Sequence, residues 1–322
     1  MKKIFVVIPN WNGADMITWC LDSLSNQTLK HEVVVVDNGS TDESISIIKA
    51  NFPNVHLVCL PRNTGFTGGV NTGIRYALEQ NADAVALLNN DAVVDKQWLE
   101  QLAKFLDANP EAGIVTGKLL RDDKKHFDST GDYYSVWGMP FPRGRNVLDN
   151  GQYDQPEPVF SASGGASLYR SSMLDQIGLF DDKFFAYYED VDISFRARLA
   201  GWQVFYEPKA VAYHHVGATS SKLGSFTRYH ATKNFYLLYG KNMPGWLFWK
   251  YLPRFTLQAI RLAISSIGRG GGLAYARGVV KALINIPSVV ADRHKIQNSR
   301  KSSVQSIDSL LYKKRPPSIP KL

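Results

Sequence analysis

The chain has 322 residues and a formal net charge of +8, and 44% of its residues are hydrophobic. This length is enough for one large α/β domain, or a domain with an appendage, built around a sizeable core. The two cysteines, Cys20 and Cys59, are too few for a disulfide framework and lack the spacing of metal ligands, so we expect both to be reduced and buried.

Positive charge is concentrated in the C-terminal region. Residues 241–322 hold 15 Lys and Arg against two Asp and Glu, whereas residues 1–240 hold 22 against 27. A cationic, aromatic region attached to a mildly acidic body indicates an anionic surface as the partner of that region. Membrane and nucleic acid both satisfy this description, but no recognisable nucleic-acid-binding motif accompanies the charge, which favours membrane.

The N-terminus leads straight into an apolar run. Residues 4–8 follow Met1, Lys2 and Lys3 directly, and this run is too short for a signal peptide and lacks a small-residue cleavage site. We interpret it as the first strand of a cytosolic protein.

Strand and helix patterns alternate through the first 120 residues. They predict strands at 4–8, 31–36, 55–60, 84–88 and 113–120, separated by helices at 14–25, 42–52, 70–80 and 96–108. This order predicts a mostly parallel sheet with helical crossovers. No G-x-G-x-x-G sequence follows the first strand and no P-loop sequence occurs, which argues against Rossmann dehydrogenases and P-loop enzymes.

The second part of the body is less regular. Residues 121–158 have no sustained periodicity and predict loops or a small hairpin that could line an acceptor site. Regular patterns return as a run at 159–169, a short helix ending at 177, a helix at 189–200 and strands at 204–206 and 211–214.

The C-terminal region predicts a helix that lies on a membrane rather than one that crosses it. The helix at 246–267 carries an apolar stripe with aromatic residues and cations beside it, and it contains no run long and uncharged enough to span a bilayer. The alternative is a helix packed on the body or on a second copy of the chain. We expect residues 241–297 to form an amphipathic helical extension and residues 298–322 a flexible basic tail.

Two of the predicted strands end on carboxylates. Residues 33–36 run into Asp37, and residues 84–88 run into Asn89, Asn90 and Asp91. Ligands of open α/β sheets bind outside the carboxyl ends of strands, where one acid can reach a sugar or base while another holds a cation. The pairing suggests a nucleotide and a metal ion.

Four short stretches then occur in order: VVDNGSTD at 35–42, NTGFTGGVNTG at 63–73, LLNND at 87–91 and YEDVD at 188–192. Together they resemble glycosyltransferase family 2, and within it the rhamnosyltransferase-like branch. The resemblance implies an α/β fold of the GT-A type, with a mostly parallel central sheet flanked by helices, over residues 1–240. Residues 1–120 would form the nucleotide-binding half and residues 121–240 the acceptor-binding half.

The resemblance also implies residue roles. Asp190 would be the catalytic base that deprotonates the acceptor hydroxyl, and Glu189 would bind the acceptor. Asp91, the one acid where the family carries a D-x-D-like motif, would bind Mg²⁺ or Mn²⁺. A histidine near that metal is assigned to His214, although His215 stays open because successive strand residues face opposite sides.

The remaining positions would contact the two substrates. Gly164 and Gly165 would let the backbone approach the acceptor sugar, although a β-bulge explains them equally well. The residues assigned to the nucleotide sugar are Pro9, Asn10, Trp11, Asp37, Asn38, Asn63, Gly65, Asn71, Asn89 and Asn90.

The predicted function is therefore inverting transfer of a sugar, with rhamnose the first choice. The donor would be a dTDP- or UDP-sugar and the acceptor a glycan or a polyprenyl-linked glycan, at the cytoplasmic face of the cell membrane. Two alternatives stay open. A sugar nucleotidylyltransferase should carry a basic residue in the loop after the first strand, which residues 9–13 lack. A noncatalytic nucleotide-sugar-binding membrane scaffold would need only one acid at the metal position. The chain could also form a homodimer.

Overall fold

The structure, a computed structural model, describes residues 3–215 and 224–317. The strands are β1 Ile4–Asn10, β2 Glu32–Asp37, β3 His56–Cys59, β4 Ala84–Leu88, β5 Ala92–Val94, β6 Ala112–Arg121, β7 Phe127–Ser129, β8 Asp132–Tyr134, β9 Pro140–Pro142, β10 Glu157–Pro158, β11 Ala166–Arg170 and β12 Gln203–His214. The helices are α1 Ile17–Ser25, α2 Ser44–Asn51, α3 Gly65–Glu79, α4 Trp98–Ala108, α5 Ser171–Ile177, α6 Glu189–Leu199, α7 Gly224–Asn242, α8 Gly245–Gly268, α9 Gly272–Ile284, α10 Ile286–Asn298 and α11 Val304–Leu310.

One large sheet organises the body, in the strand order β10-β12-β6-β11-β4-β1-β2-β3. The strands β3, β2, β1 and β4 are parallel, as predicted, and they place the ends of β1, β2 and β4 at the same edge. β11 runs antiparallel between β4 and β6, so the sheet as a whole is mixed. This reversal brings the residues before β11 to the edge where β4 ends.

Both faces of the sheet are covered by helices. The five residues of β4 are all buried, and β1 is buried apart from Pro9, which explains why both strands read as continuous apolar runs. One apolar cluster packs α1 and α4 on one face, and a second packs α3, α5 and α6 on the other. The α/β fold class predicted from the sequence is confirmed.

Two elements differ from their predicted extents. α3 begins at Gly65 rather than at residue 70, so Gly65, Gly68 and Gly69 belong to the helix although glycines usually interrupt one. Further along, Gly73 lets the helix lie against the sheet, because a Cβ there would lie 2.3 Å from Cγ1 of Val7. The two strands expected at 204–206 and 211–214 form one strand, β12, with an irregularity between Glu207 and Val211.

The C-terminal helices share a core with the body. A third apolar cluster joins α6 to α7, α8 and α11, with Leu247, Phe255 and Ile307 among its buried members. The expected flexible tail differs in the structure: residues 304–310 form α11, and Ile307 is fully buried because it packs into this cluster. Residues 318–322 of that tail lie outside the described residues.

No single helix of the described residues is long and apolar enough to cross a bilayer, although α9 and α10, which meet at a bend of 58°, pass the same test when they are taken together.

Candidate active site

The ends of β1, β2 and β4 meet in one hydrogen-bonded group. Asn10 Nδ2 donates to Asp37 Oδ1 at 3.0 Å, and Asn90 Nδ2 donates to Asn10 Oδ1 at 2.8 Å. The backbone N–H of Ser40 donates to the other carboxylate oxygen of Asp37 at 3.0 Å, and Asp37 is only 1% exposed. The sequence predicts that Asn10, Asp37 and Asn90 act together, and the structure brings them together.

Gly13 makes this group possible. A Cβ added at Gly13 would lie 2.2 Å from Nδ2 of Asn90 and 2.4 Å from Oδ1 of Asn10, the two atoms that are hydrogen-bonded to each other. Beside it, Pro9 is the penultimate residue of β1, and Trp11 follows the strand with 36% of its surface exposed. Gly13 is not among the predicted site residues, although it is a glycine in the loop directly after the first strand.

Asn38 organises the loop that leads into α3. Its Oδ1 accepts from the backbone N–H of Thr64 at 2.8 Å, and its Nδ2 donates to the carbonyl of Gly65 at 2.8 Å and to Oδ1 of Asn63 at 3.3 Å. Asn63 Oδ1 also accepts from the N–H of Gly65 at 2.8 Å. Asn38 and Asn63 therefore hold the loop in shape, through side chains that the sequence assigns to the donor.

Gly65 adopts a φ of +81°, and a Cβ there would lie 2.6 Å from the ring of Phe185. The N–H of Thr67, in the first turn of α3, donates to the carbonyl of Phe185 at 3.2 Å. Asn71, one turn further on, uses its amide on the same side: Nδ2 donates to the Phe180 carbonyl and to Asp182 Oδ1, both at 2.8 Å. The structure thus places Gly65 and Asn71 against the segment 180–185, which precedes α6, and the donor-binding role of both residues remains a prediction.

His214 and Asp91 face each other at the end of β12. His214 Nε2 lies 3.1 Å from Asp91 Oδ1, and His214 Nδ1 lies 2.9 Å from Asp128 Oδ2. Burial opposes a charged imidazole, yet the hydrogen bond with Asp128 and the nearby carboxylate of Asp91 raise the pKa of His214 to about 10. The imidazole of His215 is directed elsewhere, because its Nδ1 lies 2.7 Å from Asp122. Of the two histidines, the structure therefore places His214 beside Asp91.

These two side chains fit a divalent cation. Asp91 Oδ1 is buried and, despite its short distance to His214, has no partner with hydrogen-bond geometry among the described residues. A carboxylate oxygen and an imidazole nitrogen are suitable ligands for Mn²⁺ and, with more water, for Mg²⁺, and a cation would displace the proton from His214 Nε2 when it binds. Among the described residues, no group of three or more His, Cys, Asp and Glu side chains could hold a metal ion by itself. A cation held by Asp91 and His214 would complete its coordination with donor phosphates and water.

Glu189 and Asp190 open α6. Asp190 Oδ2 accepts from the N–H of Gly164 at 3.0 Å, and its Oδ1 accepts from the N–H of Val191 at 2.8 Å. Burial raises the pKa of Asp190, and these two N–H groups oppose that effect. Glu189 is 7% exposed, and its Oε2 has no hydrogen-bond partner among the described residues. Burial and then the neighbouring carboxylate of Asp190 raise the pKa of Glu189 to about 8.

A third acid, Asp132, lies close enough to interact electrostatically with Asp190. Burial and then Asp190 raise the pKa of Asp132 to about 7, while Ser129 Oγ donates to its Oδ1 at 2.9 Å. Asp132 and Asp128, the partner of His214, are not predicted from the sequence. Both lie in short strands within residues 121–158, where neither periodicity nor a motif distinguishes them.

Gly164 and Gly165 connect the two sides of the site. The N–H of Gly164 donates to Asp190, and the carbonyl of Gly165 accepts from the N–H of Asn89 at 2.9 Å. A Cβ at Gly164 would lie 3.3 Å from Cβ of Asp190, and one at Gly165 would lie 3.3 Å from Nδ2 of Asn89. The loop that carries Asp91 and the helix that carries Asp190 therefore meet across two residues.

The loop before α6 is strained. Phe185, Tyr187 and Tyr188 have φ values of 65°, 72° and 68°, a region that side-chain-bearing residues rarely adopt. Nδ2 of Asn234, on α7, donates to the carbonyls of residues 184, 186 and 187 at 2.7–3.0 Å. These three bonds stabilise the strained conformation, and with it the position at which α6 begins.

The mixed sheet carries a buried acid, Asp37, at its strand ends. A glycine pair separates the candidate cation site from the helix that begins with two acidic residues. This arrangement is that of a GT-A-type glycosyltransferase. The chain belongs to glycosyl transferase family 2, whose pattern it matches over residues 5–178. The prediction made from the four short stretches is confirmed.

Curated relatives specify the branch. The chain is 30% identical, over 248 residues, to the N-acetylglucosaminyl-diphospho-decaprenol L-rhamnosyltransferase of Mycobacterium tuberculosis, an alignment that covers 70% of this chain and 79% of the relative. It is 28% identical to the dTDP-rhamnosyl transferase RfbF of Shigella flexneri, over 65% of this chain and 71% of the relative. The chain is a rhamnosyltransferase-like member of the family.

Solved structures share the fold. TarS residues 1–349 of S. aureus superpose with a TM-score of 0.57 and 18% identity, covering 96% of this chain and 89% of TarS 1–349. The mannosyltransferase PcManGT of Pyrobaculum calidifontis, in complex with GDP-Man and Mn²⁺, superposes with a TM-score of 0.55 and 16% identity, covering 88% and 86% of the two chains.

Proposed function

We propose that this glycosyltransferase moves a sugar, with L-rhamnose the first choice, from a nucleoside-diphosphate donor to a hydroxyl of a lipid-linked glycan, with inversion at the anomeric carbon. The single observation that carries the proposal is the glycine pair: Gly164 is hydrogen-bonded to Asp190, and Gly165 to the loop of Asp91. Only the two glycines separate the proposed base, Asp190, from the loop of Asp91, where the leaving diphosphate would bind. Such closeness suits direct displacement.

In this proposal Asp190 accepts the proton of the acceptor hydroxyl as that hydroxyl attacks the anomeric carbon. Asp190 accepts hydrogen bonds from the N–H groups of Gly164 and Val191, and these bonds favour its ionised form within a buried site. Glu189, whose buried Oε2 has no partner in the described part of the chain, would accept a hydrogen bond from a second hydroxyl of the acceptor. The acceptor half, residues 121–240, would contribute these groups.

The donor half, residues 1–120, would hold the nucleotide. Asp37 and Asn10 are buried at the edge of the sheet where a base or ribose would bind, with Asn90 fixing the orientation of Asn10. Asp91 and His214 would bind a divalent cation, Mg²⁺ or Mn²⁺, which when bound offsets negative charge on the departing diphosphate. GalNAc-T7 and PcManGT, which share the fold, were each solved with Mn²⁺.

The names of the relatives support the choice of substrates. Two of them are rhamnosyltransferases, one named for a dTDP-rhamnosyl donor and one for a diphospho-decaprenol acceptor. We propose the donor nucleotide, dTDP or UDP, on the same grounds.

The surface of the C-terminal helices supports a location at the cytoplasmic face of the membrane. Large apolar side chains on α8, α9 and α10 are exposed, including Trp249 at 71%, Ile264 at 65% and Leu283 at 58%. Cations accompany them within residues 241–297. Exposed apolar residues next to cations suit a surface that lies on anionic lipid headgroups. A second copy of the chain is the other occupant that this surface could take.

The decisive experiment measures transfer directly. The full chain is incubated with Mn²⁺, a panel of nucleotide sugars and a synthetic polyprenyl-diphosphate-linked N-acetylglucosamine, and products are identified by mass spectrometry and their anomeric configuration by NMR. We expect transfer of rhamnose from dTDP-β-L-rhamnose with inversion. Absence of transfer from every donor would contradict the proposal, and donor binding without transfer would favour the noncatalytic scaffold.

A further inference from the structure

A small cavity lies beside the start of α6, between α7, α8 and α9. Its volume is about 80 Å³. Its polar lining combines the two guanidinium groups of Arg228 and Arg269 with five hydroxyls, from Thr232, Ser265, Ser266, Tyr188 and Tyr275, and the rest of the lining is apolar. No acidic side chain of the described residues lines it, so its polar groups are those of an anion site.

Neither arginine of the cavity forms an ion pair within the described residues. Arg228 is half-buried and has no carboxylate partner in residues 3–215 and 224–317, whereas the buried cations Lys241 and Arg143 are both paired. Arg269 is exposed and likewise has no carboxylate partner in those residues. A third arginine, Arg261 of α8, lies with its guanidinium 5.0 Å from the ring centroid of Trp137, and its buried Nη1 has no hydrogen-bond partner among the described residues. The positive charge of Arg228 and Arg269 thus has no counterion among the described residues.

Arg228 packs against the turn before α9. Its Nη1 lies so close to Gly271 that a Cβ added there would be 1.3 Å away. Gly271 is also the N-cap of α9, and no side chain caps that helix. The N-terminus of a 13-residue helix adds partial positive charge near the same guanidinium.

We infer that this cavity binds the diphosphate of the lipid-linked acceptor, an assignment that rests on the proposed function. Tyr188 lines the cavity and is the N-cap of α6, so the cavity adjoins the start of the helix that carries the proposed base, and a sugar attached to the bound diphosphate would have to pass Tyr188 to reach Asp190. On the outer side, the exposed apolar residues Ile264, Ile267 and Leu273 belong to the helices that form the cavity. An amphiphile with its phosphates between Arg228 and Arg269 would lay its lipid chain along that surface.

The test is direct binding of farnesyl diphosphate to the full chain, measured by calorimetry with saturating dTDP and Mn²⁺ to block the donor site. Farnesol and inorganic pyrophosphate are the matched probes. The double substitution Arg228→Gln/Arg269→Gln should weaken farnesyl diphosphate binding at least ~10-fold, because charge-assisted contacts are lost. Gly271→Ala should weaken it as well, without a change in charge, by displacing Arg228. The control Arg277→Gln removes an exposed arginine of α9 and should change the affinity by no more than about twofold.

Wild-type binding of farnesyl diphosphate that is tighter than that of both probes, and lost only in the cavity variants, would support the inference. Equal loss in the Arg277→Gln protein, no loss in the double variant, or no wild-type binding would overturn it. Pyrophosphate bound as tightly as farnesyl diphosphate would also overturn it, because the site would then serve a free anion. Thermal stabilisation by the nucleotide sugar with Mn²⁺ tests the proposed function separately, and we expect it to be the same in all four proteins.

Discussion

Lys241 Nζ donates to the carboxylate of Asp192 at 2.9 Å, and Asp192 is fully buried. The same ammonium donates to Asp181 at 2.7 Å. Arg196 and Asn242 donate to Asp192 at 2.9 and 2.7 Å. A cation from the end of α7 therefore neutralises an acid two residues after the proposed base, and α7 is structurally part of the catalytic body.

Removing this ammonium should destabilise the protein. Lys241→Met leaves Asp192 and Asp181 buried with fewer partners, and breaking one side of a buried ion pair costs about 3 kcal/mol. Chemical denaturation should show the loss in the free energy of unfolding. Lys295→Met, on the exposed surface of α10, is the control, and its stability should be close to that of the wild type. Similar stabilities of the two variants would contradict a structural role for the pair.

The base assignment predicts a separation of turnover from donor binding. Asp190→Asn keeps an oxygen for the N–H of Gly164 but cannot accept a proton, so kcat should fall by about 10²- to 10⁴-fold. Donor affinity, measured by calorimetry, should stay within a few-fold of the wild-type value. Asp175→Asn on α5 is the matched control and should retain full turnover. A normal kcat in the Asp190→Asn protein would remove the mechanism.

Gly13→Ala should weaken donor binding more than it affects folding. The added methyl group would displace the Asn90 amide and break its hydrogen bond to Asn10, and the loss of that bond should reduce donor affinity by about 10-fold. A side-chain tip can move at low cost, so stability should change by less than about 1 kcal/mol. Gly268→Ala, where nothing lies within 4 Å of the added atom, is the control. Equal donor affinities in the two variants would show that the Asn10–Asn90 bond does not shape the nucleotide site.

The raised pKa of Glu189 predicts how stability depends on pH. The pKa of a glutamate in an unfolded chain is 4.5, and that of Glu189 in the folded protein is about 8. Between these two pH values the folded state therefore binds more protons than the unfolded state. The stability from this group is therefore complete below pH 4.5 and is lost as the pH rises through 8.

Thermal melts across this range should show a smaller decline for Glu189→Gln than for the wild type. Glu79→Gln, on the exposed face of α3, should decline as the wild type does. Parallel melting curves for Glu189→Gln and the wild type would mean that Glu189 is not a buried acid in solution.

Membrane association should depend on the apolar side chains of α9. Leu283→Glu/Ile284→Glu places charges at positions that are 58% and 63% exposed, and partitioning to phosphatidylglycerol vesicles should fall at least ~10-fold. The control Val147→Glu/Leu148→Glu alters side chains that are 48% and 43% exposed and lie between β9 and β10, outside the C-terminal helices, and it should leave partitioning unchanged. Vesicle sedimentation that is equal for both variants would instead direct attention to a second copy, which analytical ultracentrifugation would detect.

Alternation of buried strands and amphipathic helices was sufficient to predict the first half of the fold. The strand at 84–88 has the predicted bounds, because all five side chains are buried and both ends are marked by polar residues. The start of α3 was missed, because glycines that usually interrupt a helix here allow it to pack closely on Val7.

The site was predictable where its residues follow strands or open helices, as Asp37, Asp91 and Asp190 do. Asp128 and Asp132 were not, because they reach the site through short strands whose position depends on tertiary packing. The distinction between His214 and His215 likewise needed the structure, since it depends on which side of β12 meets Asp91.

The bonds from Asn234 to the strained carbonyls before α6 have a consequence for engineering acceptor preference. A chimera that exchanges residues 121–215 between relatives, but keeps its own α7, would pair a foreign loop with an unmatched amide. Such hybrids should be built with a junction beyond Asn242, so that α7, which positions the start of α6 and the proposed base, comes from the same protein as residues 121–215.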